Sequence, residues 1–274
     1  MNLPKPLQQT LLALYGAINP EKTLEYPGLN KLFISSYFLY KRWEDPCRTL
    51  TARYPDLFTN GHILDVGANI GYTALVFADR LSPGCQVYAF EPEETNYRRL
   101  QDVVQKKGES SLVIPVRAAA GAISGEINLW KNPTHPGDHR VLTTVFQADE
   151  SPNKVVERVP LVALDDFCRS RHLDLISFIK IDVQGFETEV CKGMSETLEH
   201  NPRATVLLEY FPEAMESLGF NPHDVLEFFA QRGYAMYRCK RRAPLQRLNI
   251  NQVDEETVKI GYTDLLFTKQ KIAS

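Results

Sequence analysis

Residues 62–71 have the sequence HILDVGANIG, in which a mostly apolar, β-prone run is followed by Gly67 and Gly71. A continuous apolar run is typical of a strand that is covered on both faces. A helix-compatible run, Thr73 to Ala78, begins just beyond the second glycine. Ligands bind at such strand-to-helix turns in doubly wound α/β folds. The stretch therefore predicts a first strand, a glycine turn and a ligand site at the start of the next helix.

The spacing of the two glycines limits the choice of ligand. The dinucleotide fingerprint is G-x-G-x-x-G, whereas Gly67 and Gly71 are separated by three residues, with Asn69 in the middle. Asp65 would repel a pyrophosphate but could hold a cationic ammonium, directly or through water. S-adenosyl-L-methionine (SAM) carries an ammonium group and no phosphate. For this motif alone, a simple strand-ending turn is an equally good interpretation.

The second predicted strand ends in an acid. Residues 86–90 are a short apolar run, and Glu91-Pro92 follows them. A carboxylate at the end of the second strand can accept hydrogen bonds from both hydroxyls of a ribose. This position supports an adenosine cofactor, either NAD or SAM, although an exposed acid before a helix would have the same sequence.

Three segments of the chain resemble one family. DVGANIGYTAL, AFEPEETNYRRL and IKIDVQGFETEV are similar, in this order and at fitting separations, to the FkbM-type SAM-dependent methyltransferases. The resemblance covers about residues 60–210 and implies a class I methyltransferase fold, SAM as methyl donor and usually a hydroxyl acceptor. One departure is Gln184, which stands in DVQG where the family often has glutamate.

The expected fold is α/β: a class I methyltransferase (Rossmann-like), seven-stranded, mostly parallel sheet with an antiparallel last strand, a helical N-terminal cap and a β-rich insert. Strands are predicted near residues 62–66, 86–90, 112–116, 175–181, 204–208, 234–239 and 263–268, with insert strands near 126–130, 141–146 and 155–161. Helices are predicted near residues 7–18, 29–43, 46–54, 71–81, 93–107, 165–171 and 221–232, and a further helix is predicted to open at residues 185–187.

The domain organisation follows from this pattern. Residues 1–60 are predicted to be a helical cap beside the cofactor, or equally a helical extension that only packs or dimerises. Residues 61–274 form the SAM-binding domain, with the β-rich insert at about 123–162. Residues 240–261 are polar, with a basic start, and are predicted to be a surface loop.

Composition excludes several classes of function. The net charge of −3 gives no electrostatic reason to expect nucleic acid as a partner. No apolar run reaches the length of a membrane span, and the first residues do not resemble a signal peptide. The five scattered cysteines contain no CxxC pair, so neither a zinc site nor a disulfide framework is expected. A cytoplasmic location, where thiols stay reduced, is the expectation.

Methyl transfer to an alcohol needs a positioned acceptor and a group that takes one proton. The candidate bases are Asp182, His139, Asp138 and Glu209, and no His/Asp/Glu cluster has a strong metal-ligand spacing. The loop at residues 137–140 lies outside the α/β alternation and is expected to bend over the cofactor. There His139 would take the acceptor proton, Asp138 would orient it, and Arg140 would hold an anionic group of the acceptor.

The cofactor is expected to touch the glycine turn, the first turn of the next helix and the ends of the following strands. The expected contacts are Asp65, Gly67, Ala68, Asn69, Gly71, Tyr72, Thr73, Glu91, Ala118 and Asp182, and the expected acceptor contacts are His139, Arg140 and Glu209. The acceptor is expected to be a small molecule or a glycan- or lipid-linked hydroxyl compound.

Two alternative functions are weighed against this one. An NAD-dependent oxidoreductase or epimerase is disfavoured by the glycine spacing, by Asp65 and by the absence of a Tyr-x-x-x-Lys pair suited to hydroxyl deprotonation. The other alternative is a non-catalytic module that binds an adenosine cofactor.

Overall fold

The computed structural model describes residues 26–132, 137–147, 155–253 and 261–272. The helices are α1 (Pro27–Glu44), α2 (Cys47–Arg53), α3 (Tyr72–Ala78), α4 (Glu94–Lys107), α5 (Leu164–Arg171), α6 (Glu187–Lys192), α7 (Ser195–His200), α8 (Pro212–Ser217) and α9 (His223–Gln231). The strands are β1 (His62–Val66), β2 (Val87–Phe90), β3 (Val113–Val116), β4 (Ala119–Ala120), β5 (Gly125–Trp130), β6 (Arg140–Val141), β7 (Val156–Val162), β8 (Ile176–Ile181), β9 (Thr205–Tyr210), β10 (Ala235–Cys239), β11 (Gln246–Leu248) and β12 (Thr263–Thr268).

The main sheet has the order β11-β10-β12-β9-β8-β1-β2-β3. β1 pairs in parallel with both β2 and β8, so the strand order reverses at β1. Ligands bind beside such a reversal, at the carboxyl ends of the strands. β12 is antiparallel to both of its neighbours, β9 and β10. The predicted class I methyltransferase fold, with a mostly parallel sheet and an antiparallel last strand, is confirmed.

Within the described residues the main sheet has eight strands, whereas seven were predicted. The additional strand, β11, pairs antiparallel with β10 and lies within the segment predicted to be a surface loop. Leu248 and Val253 of that segment are buried. Leu245 and Ile250 of the same segment also pack against the core, so apolar residues that polar ones separate in the sequence are covered by the sheet.

The β-rich insert forms a second sheet in the order β4-β7-β5-β6. β5 and β7 match two of the predicted insert strands, and they pair antiparallel over their length. The predicted strand at residues 141–146 is wrong, because β6 ends at Val141. The Thr143 hydroxyl accepts hydrogen bonds from the N–H groups of Val145 and Phe146. Such a local side-chain turn competes with strand pairing.

The N-terminal helices α1 and α2 match the predictions for residues 29–43 and 46–54, whereas the helix predicted at residues 7–18 lies outside the described residues. Phe33 and Tyr37 of α1 pack against Ile70 and Tyr72, so α1 lies over the glycine turn. The short helices α7 and α8 were not predicted. In the described part of the chain, no helix has the length and apolar character that a bilayer span requires.

Candidate active site

A cavity of about 290 Å³ opens where the strand order reverses, at the carboxyl ends of the central strands. Of the residues predicted for the site, it is lined by Gly67, Ala68, Asn69, Tyr72, Thr73, Glu91, Ala118, Asp138, His139, Asp182 and Glu209. The lining does not include Asp65, Gly71 or Arg140. The structure therefore brings most of the predicted residues together and gives the other three a different position.

Both glycines of the turn have a left-handed backbone conformation. Gly67 has a φ of 81°, and a Cβ atom on it would lie 1.8 Å from the backbone oxygen of Asp182. Gly71 has a φ of 88°, and a Cβ atom on it would lie 2.5 Å from a methyl carbon of Leu100. Glycine is therefore required at both positions by close neighbours within the protein itself.

Asp65 is fully buried beneath the cavity. Its Oδ2 accepts a hydrogen bond from the Thr73 hydroxyl at 2.6 Å, and its Oδ1 lies 3.8 Å from the Lys180 ammonium. Burial raises the pKa of Asp65. The prediction that Asp65 itself contacts the cofactor is corrected, because the protein supplies its ammonium partner from β8. Asp65 and Lys180 are register partners in the β1–β8 pair.

Lys180 is a site residue that the sequence analysis missed. Its Nζ lies 3.1 Å from Asp182 Oδ2 and donates to the Gly67 carbonyl oxygen at 3.4 Å. Burial alone would lower the pKa of Lys180, but the charges of Asp182 and Asp65 outweigh burial and raise it. A single lysine within the apolar strand ISFIKI was the available signal, because buried lysines are almost always paired.

Two carboxyl groups of the cavity have opposite pKa shifts. Burial alone would raise the pKa of Asp182, but the charges of Lys180 and Lys41 outweigh it and hold the pKa below its usual value. Burial and the charges of Asp182 and Asp264 raise the pKa of Glu209 well above its usual value. Asp182 is therefore ionised, whereas Glu209 keeps its proton to a much higher pH.

Gln184 joins these two carboxyl groups. Its Nε2 donates to Asp182 Oδ1 at 2.8 Å and to Glu209 Oε2 at 3.2 Å. Its φ of 55° is unusual for a residue other than glycine. A glutamate at this position would offer no such donor when ionised, so the glutamine suits a site that already holds two acids.

Glu91 lies at the end of β2, as predicted, and lines the cavity. Its Oε2 accepts the Asn69 N–H at 2.9 Å, and its Oε1 accepts the Glu93 N–H at 3.0 Å. Burial raises the pKa of Glu91 to about 8. Each carboxylate oxygen accepts more than one hydrogen bond, so both retain capacity for a ligand.

The insert loop reaches the cavity, but its side chains are arranged differently from the expectation. Asp138 accepts hydrogen bonds from Arg140 at 2.8 Å and from the Asn132 side chain at 3.1 Å, so it does not orient His139. Arg140 also donates to the hydroxyl of Ser217 on α8 at 3.3 Å. The prediction that Arg140 faces the acceptor is corrected, because its guanidinium ties the loop to α8.

His139 has a hydrogen bond that bears on its role. Its Nδ1 accepts the backbone N–H of Asn132 at 3.1 Å, and burial lowers its pKa. The neutral ring therefore carries its proton on Nε2. In this arrangement His139 offers the cavity a hydrogen-bond donor, and the proton acceptor must be another group.

One face of α1 forms a wall of the cavity; a helical cap beside the cofactor was predicted, but its individual site residues were not. Tyr37, Tyr40, Lys41 and Glu44 line it, and Tyr262 lies beside them. These α1 residues have the i, i+3, i+4, i+7 spacing of one helix face, and this repeat of large polar side chains was the available signal. In the described ranges, no group of three or more His, Cys, Asp and Glu side chains is arranged to hold a metal ion.

Comparison with known proteins identifies a matching protein family and several relatives of the chain. The Methyltransferase FkbM domain matches residues 65–236. The hexuronic acid methyltransferase AglP of Haloferax volcanii is 29% identical over 136 residues, which are 49% of this chain and 50% of that protein. The methyltransferase sdnD of Sordaria araneosa is 27% identical over 203 residues, covering 63% of this chain and 73% of that protein.

Among solved structures, a methyltransferase FkbM from Methylobacillus flagellatus KT aligns with 95% of this chain and 58% of its own length. Its sequence identity is 15% and the TM-score is 0.49. The chain thus spans only about half the length of the Haloferax relative that it matches. Because the domain match covers well over half of the residues and contains the glycine turn, Glu91 and Asp182, the chain belongs to the FkbM methyltransferase domain family.

Proposed function

We propose that this chain is a SAM-dependent methyltransferase that methylates a hydroxyl group of a sugar, glycolipid or natural product. The observation that carries the proposal is the arrangement of one cavity at the strand reversal. The glycine turn and Glu91 lie on one side of it, and the oppositely shifted carboxyl groups of Asp182 and Glu209 lie on the other.

The cofactor side has unsatisfied polar groups that suit SAM. Asn69 Oδ1 and the Tyr72 hydroxyl are buried and lack a hydrogen-bond partner within the described part of the chain. Buried polar atoms of this kind are costly unless a ligand satisfies them. Glu91 would hold the ribose hydroxyls, and the small residues at 118–120 would flank the adenine. When bound, SAM supplies an electrophilic methyl group.

The acceptor side has a suitable proton acceptor in Glu209. Two carboxyl groups whose pKa values are pushed in opposite directions indicate separate roles. Glu209 would take the proton of the acceptor hydroxyl. Asp182 would stay ionised and hold Lys180 in place, with Gln184 fixing the distance between the two acids.

The acceptor class is supported by a relative and by the cavity wall. The Haloferax relative is a hexuronic acid methyltransferase, which favours a sugar acceptor here. Tyr40, Lys41 and Tyr262 present hydroxyl and ammonium groups at the cavity, which can hydrogen-bond to a sugar. Residues 26–60 would act as a cap beside the cofactor.

Calorimetry of SAM binding tests the cofactor assignment. SAM should bind and NAD should not. Because Glu91 has a pKa of about 8 and must be ionised to accept both ribose hydroxyls, binding at pH 7 should release close to one proton. Titrations in buffers of different ionisation enthalpy measure this proton. Glu91→Ala should abolish the release and weaken SAM by about one to two decades.

Tighter binding of NAD than of SAM would reject the assignment in favour of an oxidoreductase. Catalysis is tested separately, by incubating the protein and isotope-labelled SAM with a cell extract and searching for products that gain a methyl group. SAM binding without transfer to any compound would indicate a non-catalytic module.

A further inference from the structure

A second concave surface lies on the other side of α1 from the active-site wall. We call it the arginine groove, and it is formed by Arg42, Trp43, Arg48, Arg53, Arg241 and Arg242. The groove has a volume of about 760 Å³. The whole chain carries a net charge of −3, so this concentration of positive charge is local.

Within the described residues, the arginines of the groove outnumber its acids by five to one. Asp45 is the one acid in its lining, and Asp45 Oδ1 accepts the Cys47 N–H at 2.7 Å. In the residues that the structure describes, none of the five arginines forms an ion pair with a carboxylate. Partial burial and the charge of Arg242 lower the pKa of Arg241. Like charges held together without a counter-charge cost stability, and a bound anion would relieve that cost.

The groove is held in a defined shape. The Arg242 N–H donates to the Thr49 hydroxyl at 3.3 Å, and the Leu245 N–H donates to the Tyr54 hydroxyl at 3.1 Å. These bonds fasten the β10–β11 connection to α2. The guanidinium carbons of Arg241 and Arg242 lie 5.1 and 5.8 Å from the centre of the Trp43 ring. The two loop arginines are therefore positioned by the helices that supply the other three.

We propose that the arginine groove binds the phosphate or pyrophosphate group of a phosphorylated ligand. Planar guanidinium groups match the geometry of phosphate oxygens and bind them with two hydrogen bonds each. Several arginines around one concave space suit a compact group with more than one negative charge. A concave site also favours a small anionic group over the flat surface of a membrane.

α1 contributes residues to both the groove and the cavity. α1 presents Lys41 to the cavity and Arg42 to the groove, and a helix with its side chains is about 10–12 Å across. Tyr72 also lines the cavity: burial and the charge of Asp45 raise the pKa of its phenol, and the charges of Arg48 and Arg42 partly offset this. The groove site itself does not depend on the proposed function.

Fluorescence of Trp43 tests the groove directly. The chain has two tryptophans, and Trp130 contacts Phe146 edge to face outside the groove, so Trp130→Phe leaves Trp43 as the reporter. Titration with inorganic pyrophosphate at constant ionic strength should give a saturable signal. The double variant Arg241→Gln and Arg242→Gln should weaken binding at least about tenfold.

The matched control is Arg80→Gln with Arg203→Gln, which removes the same charge from exposed positions outside the groove. It should leave the affinity unchanged. Absence of saturable binding, or equal weakening in the control, would overturn the proposal. Calorimetry of the unmodified chain gives the same readout if Trp130→Phe does not fold.

Competition distinguishes the source of the phosphate. Displacement of pyrophosphate by glucose 1-phosphate or uridine diphosphate glucose would indicate a soluble phosphorylated ligand. Displacement by phosphatidic acid vesicles, but not by vesicles of phosphatidylcholine alone, would indicate a lipid headgroup. Binding of anionic vesicles without binding of soluble pyrophosphate would overturn the phosphate site in favour of membrane adsorption.

Discussion

Gln184 connects two acids that take opposite roles in the proposed chemistry. Its amide donates to both Asp182 and Glu209, and these side chains have lowered and raised pKa values, respectively. A strongly ionised carboxylate is a weak base, whereas a carboxyl group with a raised pKa takes a proton readily once it is ionised. At the residue scale, Glu209 is therefore the better proton acceptor of the two.

Glu209→Gln should lower kcat by roughly two to four decades and leave SAM affinity nearly unchanged, because the amide keeps the shape but cannot take a proton. Asp264 is the register partner of Glu209 on β12, and its charge helps to raise the pKa of Glu209. Asp264→Asn should therefore retain kcat but shift the rising limb of the pH–rate profile to lower pH. The measurement is kcat against pH for the three proteins.

A normal kcat in Glu209→Gln would remove Glu209 from the chemistry. An unchanged pH profile in Asp264→Asn would show that Asp264 does not tune the base. His139 contributes a donor from Nε2 in this arrangement, so its pKa should not appear as the base in the wild-type profile.

At the scale of elements, the turn from β1 to α3 is held by backbone packing. Gly67 brings β1 against the end of β8, where Asp182 begins the next loop. A side chain at Gly67 would meet the backbone oxygen of Asp182 before it reached a ligand. The turn therefore sets the position of Asp182. The Asp182 carboxylate in turn accepts hydrogen bonds from the Lys180 ammonium and the Gln184 amide and so positions both.

Gly67→Ala should destabilise the fold by at least about 2 kcal/mol, because it combines a left-handed conformation with a backbone clash. Gly84→Ala is the matched control: Gly84 has a φ of 82°, and a Cβ atom on it meets nothing within 4 Å. Gly84→Ala should lower the free energy of unfolding by only about 1–2 kcal/mol, because it introduces the left-handed backbone conformation without a clash. Urea unfolding of both variants measures the two free energies of unfolding. An equal decrease in both would show that the backbone at Asp182 moves to make room for the new methyl group.

At the scale of the whole molecule, several buried acids have raised pKa values. Burial raises the pKa of Glu91 to about 8 and that of Glu187 to about 7, and burial with the charges of Asp45 and Asp182 raises that of Asp264 to about 7. The same groups titrate near pH 4 in the unfolded chain. Between pH 4 and pH 8 the folded state therefore binds more protons than the unfolded state.

Stability of the cofactor-free protein should fall as pH rises from about 7 to 8, because the folded state still holds protons on these acids that the unfolded chain has already released. The pKa values of His62 and His139 are lowered, so these two residues make stability rise with pH. That rise is complete above about pH 7, where both histidines are neutral in the folded and the unfolded chain. The free energy of unfolding should fall by about 1.4 kcal/mol per pH unit for each proton that the folded state binds in excess of the unfolded state. Thermal unfolding across this range measures it, and a Tm that stays constant or rises would contradict the pKa shifts.

Local patterns were enough to predict the elements around the site. The apolar run, the glycines and the helix-compatible residues from 62 to 78 predicted β1, its turn and α3 because strand period and glycine conformation are properties of neighbouring residues. Gly108 likewise ends α4 with a φ of 76°, as expected of a helix-ending glycine. Ordered motifs at fitting separations also indicated the family that the domain match confirmed.

The partners of individual side chains depended on contacts between distant parts of the chain. Lys180 meets the Asp65 carboxylate across two strands, Arg140 turns away to Asp138 and Ser217, and Gly67 faces the backbone of Asp182. β11 forms because the sheet buries isolated apolar residues of a polar segment. A strand pattern specifies the face on which a side chain lies, but a hydrogen bond needs a particular partner within about 3 Å, and that distance exists only after the chain has folded.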